Sequence, residues 1–281
     1  MALDQYREEE EEEEGMSFLD HLEQLRWHLV RSIAAIMVCS VIAFLAKSIV
    51  FGQIILGPSR VDFFTYRMLC KLSASLNIPA LCIDELPFIL QSRQMTGQFT
   101  MHMTSSLVVG LIAAFPFVFW EVWKFISPGL YDKERKAARG AVFFVSLLFF
   151  MGAAFGYYIL SPLSINFLSN YQLDPSIANE FDITSYISTL MMLVLASAVM
   201  FQLPMVIYFL SMSGLVTAAM LRSYRRHAVV AILVLSAVIT PPDVISQLLI
   251  AMPILVLYEA GIMIAKKLEK KKRLAAEDDE L

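Results

Sequence analysis

Charge is what this sequence has least of. Only 17% of its 281 residues are Asp, Glu, Lys or Arg, against 58% hydrophobic residues, and the mean hydropathy is +0.63. Soluble domains carry about 25% charged residues, so an ordinary soluble domain is excluded and a polytopic membrane protein is implied. The motifs of the common membrane chemistries are missing too. There is no GxxxxGK phosphate loop, no HExxH helix, no GxSxG elbow and no pair of aspartates within the apolar runs. ATP-driven transport and intramembrane proteolysis therefore lack their parts. His102 and His227 lie near span ends with no second ligand at helical spacing, so no metal, no cofactor and no enzyme activity is expected. No nucleic-acid partner is expected either.

Basic residues are absent altogether between Arg139 and Arg222, and their distribution elsewhere sets the orientation. With the N-terminus inside, 17 of the 22 Lys and Arg are cytoplasmic: Arg7, Arg26 and Arg31, then clusters at 124–139, 222–226 and 266–273. The remaining five, Lys47, Arg60, Arg67, Lys71 and Arg93, fall outside. The positive-inside bias predicts six spans with both termini cytoplasmic. The net charge of -4 hides this, because Glu8 to Glu14 alone supply seven negative charges.

In chain order, residues 1–15 read as an acidic disordered tail and 16–266 as one membrane domain, followed by a charged cytoplasmic tail at 267–281. No cleavable signal peptide is expected, since the first apolar run is long enough to remain a span. Ser17 opens an amphipathic segment with Phe18, Leu22, Leu25 and Leu29 on one face, expected to lie along the membrane surface before turning in. Spans are expected at about 29–50, 97–120, 140–160, 185–212, 227–239 and 244–265. Residues 51–96 are expected to form an external cap, and 161–184 a second external loop. The fifth run, about 13 residues, is too short for an upright crossing, which needs about 17, so a thinned bilayer or a water-filled cavity is expected beside it. Gly152 and Gly156 stand in GxxxG spacing, which permits close helix contact. Pro116, Pro204 and Pro253 suit bent helices.

Cysteine is scarce. Cys39 falls inside span one, whereas Cys70 and Cys82 share the external segment, where oxidation is permitted. A disulfide and two buried thiols are both open there. Polar residues within or at the edges of spans are Glu121, Gln202 and Glu259, with Asp243 at the turn between the last two runs. Ionisable groups at membrane depth are costly and mark candidate sites. Glu259 suits a structural hydrogen bond or a transport role. Glu121 reads as a carboxylate solvated at the interface, and Asp243 as the cap of the last helix or part of a docking edge.

From Ala114 to Arg139 an apolar run meets water: Trp120, Trp123, Phe125 and Tyr131 crowd the boundary, then Lys133, Glu134, Arg135, Lys136 and Arg139 follow. Within it lies FPFVFWEVWKFISPGLYDKERK at 115–136. Together with HLEQLR at 21–26 and TPPDVISQ at 240–247, it resembles the three signatures of the TatC family, the multispanning core subunit of the twin-arginine protein translocase. The likeness extends from about Ser17 to Lys267.

The resemblance implies an all-α membrane fold of six helices with both termini inside, short spans five and six, a concave membrane-facing cavity and an external cap. It implies a receptor for twin-arginine signal peptides on folded cargo that recruits single-span TatA-type and TatB-type subunits and other TatC copies. Transport would be driven by the proton-motive force across a prokaryotic inner membrane. The family's recognition surface maps onto 21–26 and 124–136, hence His21, Glu23, Gln24, Arg26, Glu134 and Arg135, with Pro116, Glu121, Phe125, Pro128 and Gly129 shaping the loop. A guanidinium presents a rigid fork of donors that a carboxylate accepts bidentately, which makes Glu134 the leading candidate. The family usually has glutamate where Gln24 stands, and an amide oxygen accepts more weakly. Cytoplasmic anchoring would explain Arg26, Arg135 and Lys136 equally well. Gln202, beside Pro204, sits where the family carries Glu or Gln facing the membrane, and with Asp243, Gln247 and Glu259 it is expected to meet a partner helix. The competing reading, a secondary transporter of a small solute or ion, calls for two similar halves, and no such repeat is visible.

Overall fold

A computed structural model describes residues 18–79, 82–127, 140–174, 176–177, 179–239 and 244–279. The expected acidic tail lies outside these. Helices dominate: α1 (Phe18–Leu45), α2 (Phe64–Leu76), α3 (Gly97–Ile126), α4 (Ala141–Phe155), α5 (Ser161–Asn170), α6 (Ile183–Met200), α7 (Leu203–Met212), α8 (Ala218–Ser223), α9 (Arg225–Ile239) and α10 (Val244–Asp279). Strands β1 (Ile89–Gln91) and β2 (Glu180–Asp182) pair in parallel.

Among the described residues, five segments are long and apolar enough to cross a membrane: Glu23–Leu45, Gly97–Ile126, Ala141–Asn170, Ile183–Met212 and Gln247–Leu274. The fifth apolar run is the 15-residue α9. At 1.5 Å per residue it reaches about 22 Å, short of a hydrocarbon core of about 30 Å.

Four expectations about element boundaries change. The amphipathic start is no separate surface helix, because nothing between Phe18 and Leu45 breaks the helix and α1 runs through as 28 residues. The second span continues past Trp120 to Ile126. Residues 161–170, expected in a loop, extend the third span through a π-turn at Gly156–Leu160, and Pro162 is tolerated because it falls in the first turn of α5. The last helix is not short: α10 has 36 residues and carries the basic tail as helix.

α1 and α3 run antiparallel along a seam of small residues. Ser32, Ser40 and Ala43 face Ser105, Ser106, Gly110 and Ala114, all buried. The serines do not leave orphan hydroxyls in this seam: Ser40 donates to Ile36 O at 2.7 Å, and Ser106 to His102 O at 2.7 Å. Small, internally satisfied side chains let two backbones approach where no water is available. The GxxxG pair does the same between α4 and α6, since a Cβ on Gly152 would sit 2.6 Å from Ser197 O and one on Gly156 would sit 2.8 Å from Leu193 O.

Where α1 ends, the segments between helices knit together. The chain leaves α1 through a π-turn at Val50–Ile55, whose carbonyls take donors from distant helices: Tyr157 Oη donates to Ile54 O at 2.7 Å and Tyr186 Oη to Ile55 O at 2.9 Å. The buried Tyr66 hydroxyl lies 3.0 Å from the carbonyls of both Pro58 and Pro162. Burial pushes its pKa well above that of a free phenol, so it remains a donor. Asp182 caps α6 by accepting from Thr184 N at 2.8 Å, and its other oxygen accepts from Arg93 N at 3.0 Å, beside an Arg93–Glu180 ion pair at 3.1 Å. Cys70 and Cys82 form a disulfide, which settles their pairing and removes both thiols as ligands beside Asp84.

The tightest approach supplies a test. A side chain at Gly110 would start 2.6 Å from the Ser40 Cα, backbone that cannot swing away. Gly110→Val should cost about 1–3 kcal/mol by forcing α1 from α3. Thermal unfolding in detergent should show a melting temperature lowered by several degrees, while Gly52→Val, in open space, should leave it nearly unchanged.

Candidate functional site

The two segments singled out by sequence meet where α1 begins and α3 ends. α3 runs six residues beyond the expected boundary at Trp120, so the helix continues past Glu121. Glu121 lies more than one turn inside the helix and faces α1. Its side chain is only 3% exposed, which corrects the interfacial, solvated reading. A carboxylate leaving water needs charge-assisted partners, and Glu121 has three. His28 Nδ1 donates to Oε2 at 2.7 Å, Lys124 Nζ to Oε1 at 3.3 Å, and Arg31 Nη1 lies 3.8 Å from Oε2.

Aromatic rings close over these groups. The His28 ring meets Phe125 edge-on with centroids 6.2 Å apart, and Lys124 Nζ sits 4.1 Å over the Trp120 ring. Phe125 is thus a neighbour of the polar cluster, half-buried.

The sequence reading missed His28 and gave Arg31 and Lys124 only a topological role. The available signal was spacing: Gln24, His28 and Arg31 at i, i+4 and i+7 share one helix face, the face that α3 covers. Gln24 is therefore one turn before the Glu121 partner. Glu23 points about 100° away, one turn before Trp27, which is 56% exposed. Glu23, Gln24 and Arg26 are all exposed. Of His21 only the backbone is described. Pro128, Gly129, Glu134, Arg135 and Asp243 lie outside the described residues.

Pro116 falls inside α3 without ending it. Among the described residues, Gln202, Gln247 and Glu259 do not converge on one centre. Gln202 ends α6 in a two-residue break before α7, where Pro204 occupies the first turn and is buried. Its Nε2 donates to Val145 O at 3.2 Å, while its Oε1 is buried with no donor among the described residues. Gln247 ties α10 to α9 through Nε2 to Leu233 O at 3.0 Å. Glu259 is taken up by a half-exposed ion pair with Arg225 at 2.6 Å, at the start of α9, which favours the structural role over transport. Neighbouring Tyr258 donates to Leu221 O at 2.8 Å.

Residues 20–253 match the family model described as Sec-independent protein translocase protein (TatC). The chain is 36% identical over 263 residues to the TatC of Blattabacterium (strain BPLAN), covering 93% of this chain and 99% of that one. It is 33% identical over 259 residues to the TatC of Aquifex aeolicus, covering 92% and 98%. A crystal structure described as the twin arginine translocase receptor TatC in DDM superposes with a TM-score of 0.69 at 32% identity, over 87% of this chain and 99% of that one. A second receptor TatC structure gives a TM-score of 0.63 at 31% identity.

Because Glu121 is the acceptor common to α1 and α3, its removal should loosen this end. Glu121→Ala should cost about 1–3 kcal/mol in thermal or denaturant unfolding, since a hydrogen bond to a charged group is lost and its donors stay partly buried. Glu121→Gln keeps an acceptor for His28 and should lose less. Equal stability of all three proteins would show that this carboxylate does not hold the helices together.

Proposed function

This chain belongs to the TatC family, and from that premise we propose that it receives twin-arginine signal peptides on the surface formed by the start of α1 and the segment following α3. As a TatC it is a multi-pass membrane component of the Sec-independent protein translocase, a transport subunit and not an enzyme. One observation carries the placement of the site: the Glu121–His28 hydrogen bond at 2.7 Å pins residues 23–31 to the end of the helix that leads into 128–139. Both recognition segments are thereby tied to the same end of the bundle.

The signal arginines are read by carboxylates. Glu134 is the principal acceptor, with Arg135 next to it in the sequence and Pro128 and Gly129 as the residues expected to shape the loop. Gln24 contributes a neutral acceptor from the α1 face that leans on α3, and Glu23, Arg26 and His21 line the approach. Because Gln24 brings no charge, recognition depends more on Glu134 than it would with two carboxylates.

The membrane arrangement follows from the charge bias: six crossings, with α9 as the short fifth, both termini cytoplasmic in a prokaryotic inner membrane, and the segments 50–96 and 171–182 as an external cap. Residues 1–15 and 267–281 flank the membrane domain as charged cytoplasmic tails. The break at Gln202 and Pro204, with a buried amide oxygen that has no donor among the described residues, supports Gln202 as the point where a TatA-type or TatB-type helix docks. Gln247, in the first turn of α10, and Asp243, which precedes that helix in the sequence, are the candidates for the adjoining docking edge, with further TatC copies completing the complex.

Export of a folded fluorescent reporter behind a twin-arginine signal tests the reading in cells. Glu134→Ala should reduce export about tenfold or more at unchanged protein level, as loss of one charge-assisted hydrogen bond of about 1.5–3 kcal/mol requires. Wild-type export by Glu134→Ala would overturn that assignment. A photocrosslinker at position 202 should capture a single-span subunit, and capture of lipid alone would remove Gln202 from the docking edge.

A further inference from the structure

The helix α2 has a face that neither the receptor reading nor the packing of the bundle uses. Along one side, Phe64, Met68, Leu72 and Leu76 recur every fourth residue and are 57%, 52%, 41% and 55% exposed. The opposite side is spent on the core: Tyr66 is fully buried and Ser73 is 7% exposed. The helix is not free to roll and hide the stripe. Its first turn is tied to the third span by Thr65, whose hydroxyl donates to the Tyr158 carbonyl, and by Tyr66 on Pro58 and Pro162. Its last turns are held by the Cys70–Cys82 disulfide and by Ser73 Oγ donating to Ile78 O at 2.8 Å. Asn77 ends it in the left-handed region at φ 53°, a conformation asparagine tolerates.

What covers such a stripe is indicated by where it starts. Phe64 meets Tyr158 edge-on at 5.9 Å, and Phe63 stacks on the same ring at 5.8 Å. Tyr158 and Ile159 are themselves 44% and 39% exposed on the third apolar span, so the α2 stripe continues a lipid-facing surface. Height agrees. Tyr158 follows Ala141 by 17 residues, about 26 Å of helix, close to the thickness of the hydrocarbon core at about 30 Å. The rings of Phe63, Phe64, Tyr157 and Tyr158 then form an aromatic belt at the bilayer boundary. Beside the stripe stand Arg67 and Lys71, exposed and without an ion pair among the described residues, with Arg60 just before the helix. Only Asp62 opposes these three within 60–76.

We propose that α2 is an in-plane membrane anchor, its Phe64–Met68–Leu72–Leu76 stripe sunk in the headgroup layer of one leaflet and its Arg67–Lys71 flank on anionic lipid phosphates. Apolar stripe and basic flank are the features by which an amphipathic helix binds a charged bilayer surface. The anchor fixes the disulfide-closed cap to the bilayer on the side of the third span. It rests on the chain spanning a membrane and not on how signal peptides are read.

The test uses the full, oxidised chain with Cys39→Ala, reconstituted one copy per nanodisc, and a nitroxide at Met68→Cys, Leu72→Cys or Ala74→Cys. In nanodiscs containing phosphatidylglycerol, relaxation by oxygen relative to a water-soluble nickel complex should be several-fold higher at 68 and 72 than at 74. Replacing the lipid with phosphatidylcholine, or adding Arg67→Gln with Lys71→Gln, should lower the ratio at 72. Nickel-dominated relaxation at all three positions overturns the anchor, and so does protection of 72 that appears only when two copies share a disc, which would assign the stripe to a second chain. A ratio at 72 indifferent to both lipid charge and the basic residues overturns the anionic part.

Discussion

One buried carboxylate sets how the start of α1 meets the end of α3. Glu121 has no water to fall back on, and the cost of stripping hydration from an anion is offset only where donors converge on it. His28 and Arg31 come from α1 and Lys124 from α3 itself, so the anion is satisfied only in one register of the two helices. That register brings Ser40 against Gly110, where a methyl group more would not fit. The small-residue seam and the charge cluster depend on one another. Together they decide where Gln24 stands relative to the end of α3.

The opposite end answers a related problem with neutral groups. Two π-turns interrupt the regular helix ladder, one at Val50–Ile55 just after the first apolar span and one at Gly156–Leu160 within the third. Backbone carbonyls freed there would be expensive without partners. Side-chain hydroxyls supply them: Tyr157 to Ile54 and Tyr186 to Ile55 in the first turn, Thr65 to Tyr158 and Ser161 to Gly156 in the second, with Tyr66 on Pro58 just beyond the first. A tyrosine can do this because its ring packs as a hydrophobe while its tip donates. The irregular cap is thereby bolted to the regular helices.

Much of this was legible in the sequence. Long apolar runs gave the spans, since length and hydropathy are properties of single segments, and three motifs in order gave the family. Pairing was not legible. Glu121 looked like an interfacial carboxylate because the apolar run stops at Trp120, whereas the helix does not; its partner, His28, is 93 residues distant. Glu259 looked like a membrane-depth charge because Arg225 was counted only as a loop cation. The break after Met200 was hidden for a related reason: Pro204 signals a bend, but only the fold shows that Gln202 fills it by reaching Val145. Helix ends at 126 and 170 depended on the absence of breakers and not on hydropathy, which is why the expected boundaries at 120 and 160 ran short, whereas the first helix ends at Leu45, before the expected 50.

Our proposal is that discrimination in this receptor rests on carboxylate–guanidinium geometry, with Gln24 offering an amide in place of a second carboxylate. Its central claim is most directly tested by equilibrium binding of labelled signal peptides to the purified protein in nanodiscs, comparing an Arg-Arg peptide with its Lys-Lys counterpart. A bidentate carboxylate recognises the planar fork and not a point charge, so the Lys-Lys peptide should bind about tenfold more weakly or worse, a difference of about 1.4 kcal/mol. Equal affinity for the two peptides would contradict it.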